Sequence, residues 1–549
     1  MPFIKTQKLK YDEEGNILSG SASLIESVYV SDSKYHSKPR VIEKLGKVLF
    51  FDKSTKNGIF QSPTRGLVEY CSVTNEFKEV PLDDERISPN YQAAPPLIHT
   101  VFGDAWFLME FLKKSGLGEV LNSVFQKKSL CERLWAHILH SLAKDGSKIS
   151  CEDWIAKSYL SYFMDEVNLH SLKSDTLYFT EMGKDNHRIA FFTNFVKVMR
   201  KRYPNFGRGC YVDSTPLPND IVNNPFNALS SHGIGACGTM MRLVLVLDEE
   251  TGLPVWYDII PGNVLDVSTL VNVFNDVYAS IKVTIDDLVL DAGYISKELI
   301  NIAHLEKDQQ GKLIPTPKTI IGRMPAKKGF PHKELYHKVK DLIYKAKYSF
   351  IRNHHDYFGV RKETVIFDKQ MYAYVYVDQT NALHSFINFQ LDHPEDYEKL
   401  LDREKDFKRV EYGYFILLSN IEATPAEMLD LYFSRTQIEG VFKTSKEYLD
   451  LLPLNKWTDT TVRGKILSDI IATIALLLIR KDLTPTGRST PELFGKLSSL
   501  MCHREGDKVT VEKANKQVRE YLQTFGMTPP TYIKLPDFAT YIAPNRANV

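Results

Sequence analysis

Residues 209–213 read GCYVD and residues 288–291 read LVLD, two short apolar runs that each stop on an acid. Between them, MRLVLVL at 241–247 and LPVWYDII at 253–260 flank DEETG at 248–252, the pattern of an antiparallel hairpin. Pro261-Gly262-Asn263 then turns the chain, and 266–281 places apolar residues at helical spacing. The order is strand, strand, strand, helix, strand. It predicts an α/β fold in which Asp213 and Asp291 close the first and fourth strands.

Downstream, Thr424-Pro425-Ala426-Glu427 joins an N-cap Thr, a Pro at the first helical position and a Glu three residues after the cap. This helix is expected to run to about residue 448. On it, Tyr432, Arg435, Glu439 and Lys446 stand at offsets 0, 3, 7 and 14. At about 100° per residue they share a stripe about 60° wide. Two readings fit: a solvated face with i,i+4 ion pairs, or a polyanion-binding face with a metal-ligating acid at its centre. In a sheet of the ribonuclease-H type the first and fourth strands are neighbours, so Asp213 and Asp291 would meet there. A later helix could lay Glu439 against them. Three converging carboxylates suit two hard divalent ions about 3.5–4 Å apart, the arrangement of two-metal phosphoryl transfer.

The pattern Tyr432-x2-Arg435-x3-Glu439-x6-Lys446 resembles the signature helix of prokaryotic insertion-sequence DDE transposases that carry a β-strand insertion before the last acid. YVDSTPLP around Asp213, IIPGNVLD at 259–266, LVLDAGYI around Asp291 and YFILLSN at 414–420 match as well. The resemblance covers about 205–480 and departs from the commoner pattern at 231–241, where SHGIGACGTMM replaces a more polar, basic stretch. It implies a ribonuclease-H-like catalytic core interrupted by a β-rich insertion, with helical flanking regions. Asp213, Asp291 and Glu439 would be the catalytic residues and would ligate two Mg²⁺ ions, with Mn²⁺ able to substitute. Tyr432, Arg435 and Lys446 would hold phosphates near the cleaved end. The implied reaction is hydrolysis that frees a 3′-hydroxyl, then attack of that hydroxyl on a target phosphodiester. The implied partners are double-stranded DNA, as element ends and as target, and a second copy of the chain in a synaptic complex. Two rivals keep the resemblance but not the activity: an inactive or domesticated descendant that binds DNA, and a non-transposing nuclease of the same fold.

Composition sets the outer bounds. The chain has 549 residues, 43% hydrophobic and 25% charged, ordinary for several globular domains and unlike disordered, collagenous or disulfide-scaffold proteins. Lys plus Arg number 69 against 68 Asp plus Glu, which excludes a uniformly basic protein. The charge is uneven, however. Residues 312–362 hold 13 Lys and Arg against three acids, a net of +10 that leaves −9 for the remainder. Interleaved there are Tyr336, Tyr344, Tyr348, Phe350, Tyr357 and Phe358, which either stack on unpaired bases or face a core. The insertion contains no Trp. His332, His337, His354 and His355 lack a recognised ligand spacing and read as surface or phosphate-contacting side chains. Arg463-Gly464-Lys465 is open between a DNA contact and a helix entry.

Six cysteines without a Cys-x2-Cys pair suggest a reducing compartment and no structural zinc. The N-terminus lacks a signal-peptide core, and the apolar run 466–479 is short for a bilayer and carries Asp469, so it reads as a buried helix. The expectation is a protein without membrane association, cytoplasmic and at the nucleoid. The expected organisation is a small, β-containing domain at 1–95 and a helical region at 96–205. The core follows at 206–300 and 424–482, around a β-rich basic insertion at 301–423, and 483–549 form a helical tail. Pro95-Pro96 marks the first boundary.

Overall fold

A computed structural model describes residues 2–12, 17–29, 37–81, 83–87, 99–144, 150–164, 172, 175–221, 224–229, 238–264, 266–304, 318–449, 451–535 and 541–543. Pro95-Pro96, residues 231–237 of the SHGIGACGTMM stretch and Lys312 lie outside the described residues. The chain divides into two compact units.

One unit comprises Met1–Val101, Leu500–Lys513 and Pro530–Leu535. Its first part is a six-stranded meander in which each strand pairs with the next in sequence. Ile4, Ala22, Leu24, Leu45, Val48, Phe60 and Tyr70 form its core. Its second part is a four-stranded sheet made by Tyr532–Lys534, Lys508–Val511, Met501–Glu505 and His99–Val101. The tail at 483–549 therefore supplies three strands as well as the helices Thr490–Leu497 and Lys516–Thr524.

The other unit holds Phe102–Ser499 together with Ala514–Pro529 and Pro536–Val549. The predicted elements appear in it in the predicted order: β1 (Gly209–Pro218), β2 (Thr239–Asp248), β3 (Pro254–Pro261), α1 (Asp266–Ile281) and β4 (Asp287–Leu290). β2 and β3 are antiparallel, and the turn between them is held by Asp248, whose carboxylate accepts from the Thr251 N–H at 2.9 Å and the Thr251 hydroxyl at 2.7 Å. Apart from its first residue β2 is buried along its length, so its unbroken apolar run is that of an interior strand covered on both faces.

The sheet continues past β4. β5 (Thr319–Arg323) is parallel to β4, and the insertion adds β6 (Ser349–Arg352), β7 (His355–Ile366), β8 (Lys369–Asp378) and β9 (Tyr414–Ser419). The strand order is β3-β2-β1-β4-β5-β9-β8-β7-β6. Its first five members make the 3-2-1-4-5 order of a ribonuclease-H-like core. The insertion extends the edge of that same sheet, through the antiparallel pairing of β5 with β9. Its longer helices are α2 (His332–Ile343), α3 (Gln379–Asp392) and α4 (Asp402–Glu411).

After β9 the capping box forms as the sequence dictates: the Thr424 hydroxyl accepts from the Glu427 N–H at 3.2 Å and Glu427 Oε2 accepts from the Thr424 N–H at 2.9 Å. α5 (Pro425–Phe433) starts there, a single 3₁₀ turn follows at Ser434–Thr436, then α6 (Gln437–Lys443) and a π turn at Thr444–Tyr448. Met428, Leu429 and Tyr432 of α5 pack in one buried cluster with Tyr211, Val289 and Ile321 of β1, β4 and β5, and with Tyr374, Tyr376 and Leu417 of β8 and β9. One helix thus bridges core and insertion strands.

α7 (Asp459–Leu483) contains the apolar run 466–479 and is buried almost throughout. Among the described residues no helix is long and apolar enough to cross a membrane. The Arg463-Gly464-Lys465 segment lies inside α7. Arg463 Nε bonds Asp459 at 3.1 Å, and the Lys465 ammonium bonds the buried Asp469 at 2.8 Å. A Cβ on Gly464 would stand 1.9 Å from the Phe179 carbonyl oxygen, so glycine here lets α7 press against the helix Thr176–Met182. That is a packing role.

Candidate active site

Parallel pairing builds the site first. Leu290 of β4 is in register with Val212 of β1 and with Gly322 of β5. One residue further along each strand come Asp291, Asp213 and Arg323, on three adjacent strands. The two acids meet because β1 and β4 are neighbours, although they lie far apart in sequence.

α5 and the turn after it close over this row. The Tyr432 hydroxyl donates to Asp291 Oδ1 at 3.2 Å. Arg435 donates through Nη1 to Asp213 Oδ2 at 3.0 Å, and its Nη2 stands 3.9 Å from Asp291 Oδ1. One guanidinium therefore spans both carboxylates, with its carbon 5.4 Å from the centre of the Tyr432 ring. Burial pushes the Tyr432 phenol up to about 12, helped by the Asp291 charge, so it stays a neutral donor. For Arg435 burial works against the charge, but Tyr432, Asp291 and Asp213 outweigh it and its pKa lies above the ordinary value. Arg435 Nε is buried without a hydrogen-bond partner, one donor in the fork that no protein acceptor meets.

The second half of the helix differs. Lys446, in the π turn, donates to Thr215 Oγ1 at 2.6 Å and to the Pro216 carbonyl at 3.0 Å, which anchors it to β1 two residues past Asp213. Burial holds its ammonium below the usual lysine range. Glu439, by contrast, is exposed. Among the described residues no three His, Cys, Asp or Glu side chains gather closely enough to hold a metal ion. The physical reason lies in the turn at Ser434–Thr436. A 3₁₀ residue turns about 120° where an α residue turns about 100°, so three of them advance the helix by about 60°, the whole width of the predicted stripe. Tyr432 and Arg435 stand before or within that turn and Glu439 after it. Asp213 and Asp291 offer hard carboxylate oxygens and already share one cation, so this pair suits a divalent ion; Glu439 is not brought to them.

Two arginines at the site lie outside the resemblance motifs quoted above. Ser214, beside Asp213, accepts from Arg242 Nη2 at 2.5 Å, and that arginine is buried on β2. Arg323 ends β5 on the row of the acids, and its charge lowers the proton affinity of Tyr432. Counted within the basic stretch, it reads as one cation among 13; a short apolar run ending in a charged residue, as at Asp213 and Asp291, is the signal that singles it out.

The insertion's aromatics divide. Tyr357 and Phe358 are buried, Phe350 packs against the shared cluster, and Tyr336 meets the ring of Tyr414 at 4.9 Å. His332 and His337 line a cavity of about 640 Å³ with Arg323, Lys333, Tyr336 and Tyr414. His355 bonds Asp378 at 2.8 Å.

A family model described as the transposase DDE domain matches residues 205–473, which contain both acids and the whole of the 425–448 helix. A search of curated proteins finds no match. Among solved structures, a cryo-EM structure of the piggyBac transposase synaptic complex with hairpin DNA is similar at a TM-score of 0.39 and 10% identity, covering 77% of each chain. Residues 205–473 of this chain thus match a transposase DDE domain.

Proposed function

We propose that this chain is the transposase of a prokaryotic insertion sequence, acting at the nucleoid, which cuts its element ends by metal-dependent phosphodiester hydrolysis and joins the freed 3′-hydroxyls to target DNA. The observation that carries the reading is the pairing of Asp213 with Asp291 across β1 and β4 beneath the guanidinium of Arg435. Those two carboxylates would hold Mg²⁺, or Mn²⁺ in its place, with Glu439 joining them on a helix whose 3₁₀ turn has relaxed. When bound, such ions activate the attacking oxygen and stabilise the leaving one.

The chain's own residues supply the rest. Tyr432 keeps Asp291 oriented through its hydroxyl. Arg435 stands where a cation is needed, and its fork can pass to a DNA phosphate in bidentate fashion. Lys446 offers a point charge beside β1. The +10 stretch at 312–362 attracts the duplex backbone, and two copies of the chain hold the two ends.

The test is cleavage and joining of end DNA with purified protein and Mg²⁺. Wild type is expected to cut and join, and Asp213→Asn and Asp291→Asn to bind end DNA without cutting it. Equal cutting by either variant would remove the proposed centre. A second reading, a descendant that binds DNA without cutting, is favoured by the exposed Glu439; it requires that wild type bind end DNA and leave it intact. Cutting without joining would instead assign a simple nuclease.

A further inference from the structure

We propose that the apolar ridge Leu383-Ile387-Leu391 on α3 of the insertion is where two copies of this chain meet, each α3 packing antiparallel on the other. The proposal deepens the two-copy reading above and rests on it. Residues 379–391, QTNALHSFINFQL, contain no Asp, Glu, Lys or Arg, whereas the next 20 residues contain 13. Yet α3 is not an interior helix, since Ala382 is its one buried residue. A helix facing water carries charged and polar groups on its outer side. Nothing within one copy accounts for the missing charges.

α3 bears two apolar stripes, and only one is packed. Phe386 meets the Tyr397 ring at 5.8 Å, and Phe389 meets the Tyr412 ring at 6.2 Å beneath the Lys408 ammonium at 4.6 Å. Leu383, Ile387 and Leu391 make the other stripe and are 46%, 42% and 72% exposed. Their spacing of four forms a single ridge, the kind that packs into the matching groove of a second helix.

The face is complementary to itself. A cavity of about 520 Å³ opens at Ala382 and Leu383, lined also by Tyr344, Val377 and Val410 and by Asp406 and Arg409 of α4. The most exposed side chain, Leu391, lies at the opposite end of the ridge. Leu383 and Leu391 each stand four residues from Ile387, about 6 Å along the axis. An antiparallel copy crossing at Ile387 therefore sets Leu391 of each chain at the cavity of the other. Knob meets hole twice about one twofold axis, the condition for a closed dimer.

Charge sets DNA aside as the occupant. A duplex needs cations to meet its phosphates, and the exposed cations of the insertion include Lys333, Lys338 and Lys340 on α2. The ridge has none, and the cavity carries one charge of each sign. An apolar face without net charge fits another such face, and a second α3 supplies one.

The test is sedimentation equilibrium of the full chain, without DNA or divalent metal, over a range of concentrations. One helix pair buries less than about 1,200 Å², the range of weak, reversible complexes, so wild type is expected to dimerise as concentration rises. Ile387→Glu sets two like charges together at the axis and should weaken the dimer about tenfold or more, whereas Ile387→Leu should keep it. Because the position is exposed, Ile387→Glu should retain the urea midpoint of monomeric wild type. Cross-linking fixes the geometry. Under mild oxidation, Leu383→Cys protein mixed with Leu391→Cys protein should form a linked dimer beyond the wild-type background, and Leu391→Cys protein alone should not, its two thiols being too far apart.

An unchanged dimer in Ile387→Glu, or linkage by Leu391→Cys protein alone, would overturn the proposal. So would a wild type that stays monomeric, which would leave the ridge to a different protein. Two end duplexes still held together by Ile387→Glu would sink this surface and keep the two-copy reading. A wild type that dimerises through the ridge but never pairs two end duplexes would instead remove that reading.

Discussion

The two halves of the 425–448 helix meet the same sheet and behave differently. In the first, Tyr432 and Arg435 are tied to Asp291 and Asp213, and α5 is sealed into a cluster that spans core and insertion. In the second, Lys446 is tied to Thr215 while Glu439 stands in solvent. A single 3₁₀ turn lies between the fixed group and the free one. Helical phase over 14 residues is therefore set by local irregularity as much as by the ideal period, and a residue's place on a predicted stripe holds only as far as the helix stays regular.

Several measurements would break or sharpen this contrast. The largest effect is expected from Arg435→Ala, which removes the guanidinium that Asp213 and Asp291 share. Losing one partner of a buried ionic group costs about 3–5 kcal/mol, and with Asp291 45% exposed water screens part of that, so about 2 kcal/mol of unfolding free energy is expected. In urea unfolding with chelator the variant should fall by this amount, and Mg²⁺ should restore more of its stability than it adds to wild type. Equal stability in chelator would mean that the guanidinium does not hold the acids together.

Lys446→Ala should weaken binding to end DNA about tenfold, close to 1.4 kcal/mol, and reduce the salt slope by about 0.9. Because burial lowers the Lys446 pKa, the charged form is lost as pH rises through that lowered value, before exposed lysines titrate. Binding should therefore decline on the alkaline side earlier than a surface-lysine contact would, and Lys446→Arg should remove the decline. A pH profile unchanged by the Arg substitution would take the residue out of the phosphate contact.

Tyr432→Phe removes one hydrogen bond to Asp291 and should cost about 1 kcal/mol in stability. With the phenol held up to about 12, no step in a pH profile between 7 and 10 should vanish in this variant. The smallest structural effect belongs to Glu439→Gln, within about 0.5 kcal/mol of wild type because the side chain is exposed. The same variant should nonetheless fail to cut DNA, and that separation of stability from activity is the sharpest test of the helix. A gain in stability above about 1 kcal/mol in chelator would place Glu439 in contact with the acids already, because the substitution would relieve like-charge repulsion.

The hairpin of β2 and β3, the helix Asp266–Ile281 and the capping box at Thr424 were legible because each depends on neighbours within a few turns of the chain. β5 was not. Thr319–Arg323 contributes little more than Ile320 and Ile321 to the core and sits beside a basic stretch, and its strand state comes from pairing with β4 on one side and with β9 on the other, about 95 residues downstream. For the same reason the insertion read as a separate β-rich segment, when its strands continue the core sheet. Arg323 was counted but not placed, since its position on the row of acids exists only once β4 and β5 are in register.

The sequence by itself determined the strand-closing acids, the capped helix with its four polar residues, and the separation of a cationic stretch from an acidic remainder. Those properties are written in side-chain type and short-range spacing. Tertiary structure alone decided that Asp213 and Asp291 share one guanidinium and that Glu439 stands apart from them. The contacts responsible join residues 222 and 141 positions apart, and no local period specifies pairing over such distances. They arise when parallel strands settle into register and a packed helix tightens by one turn to fit them.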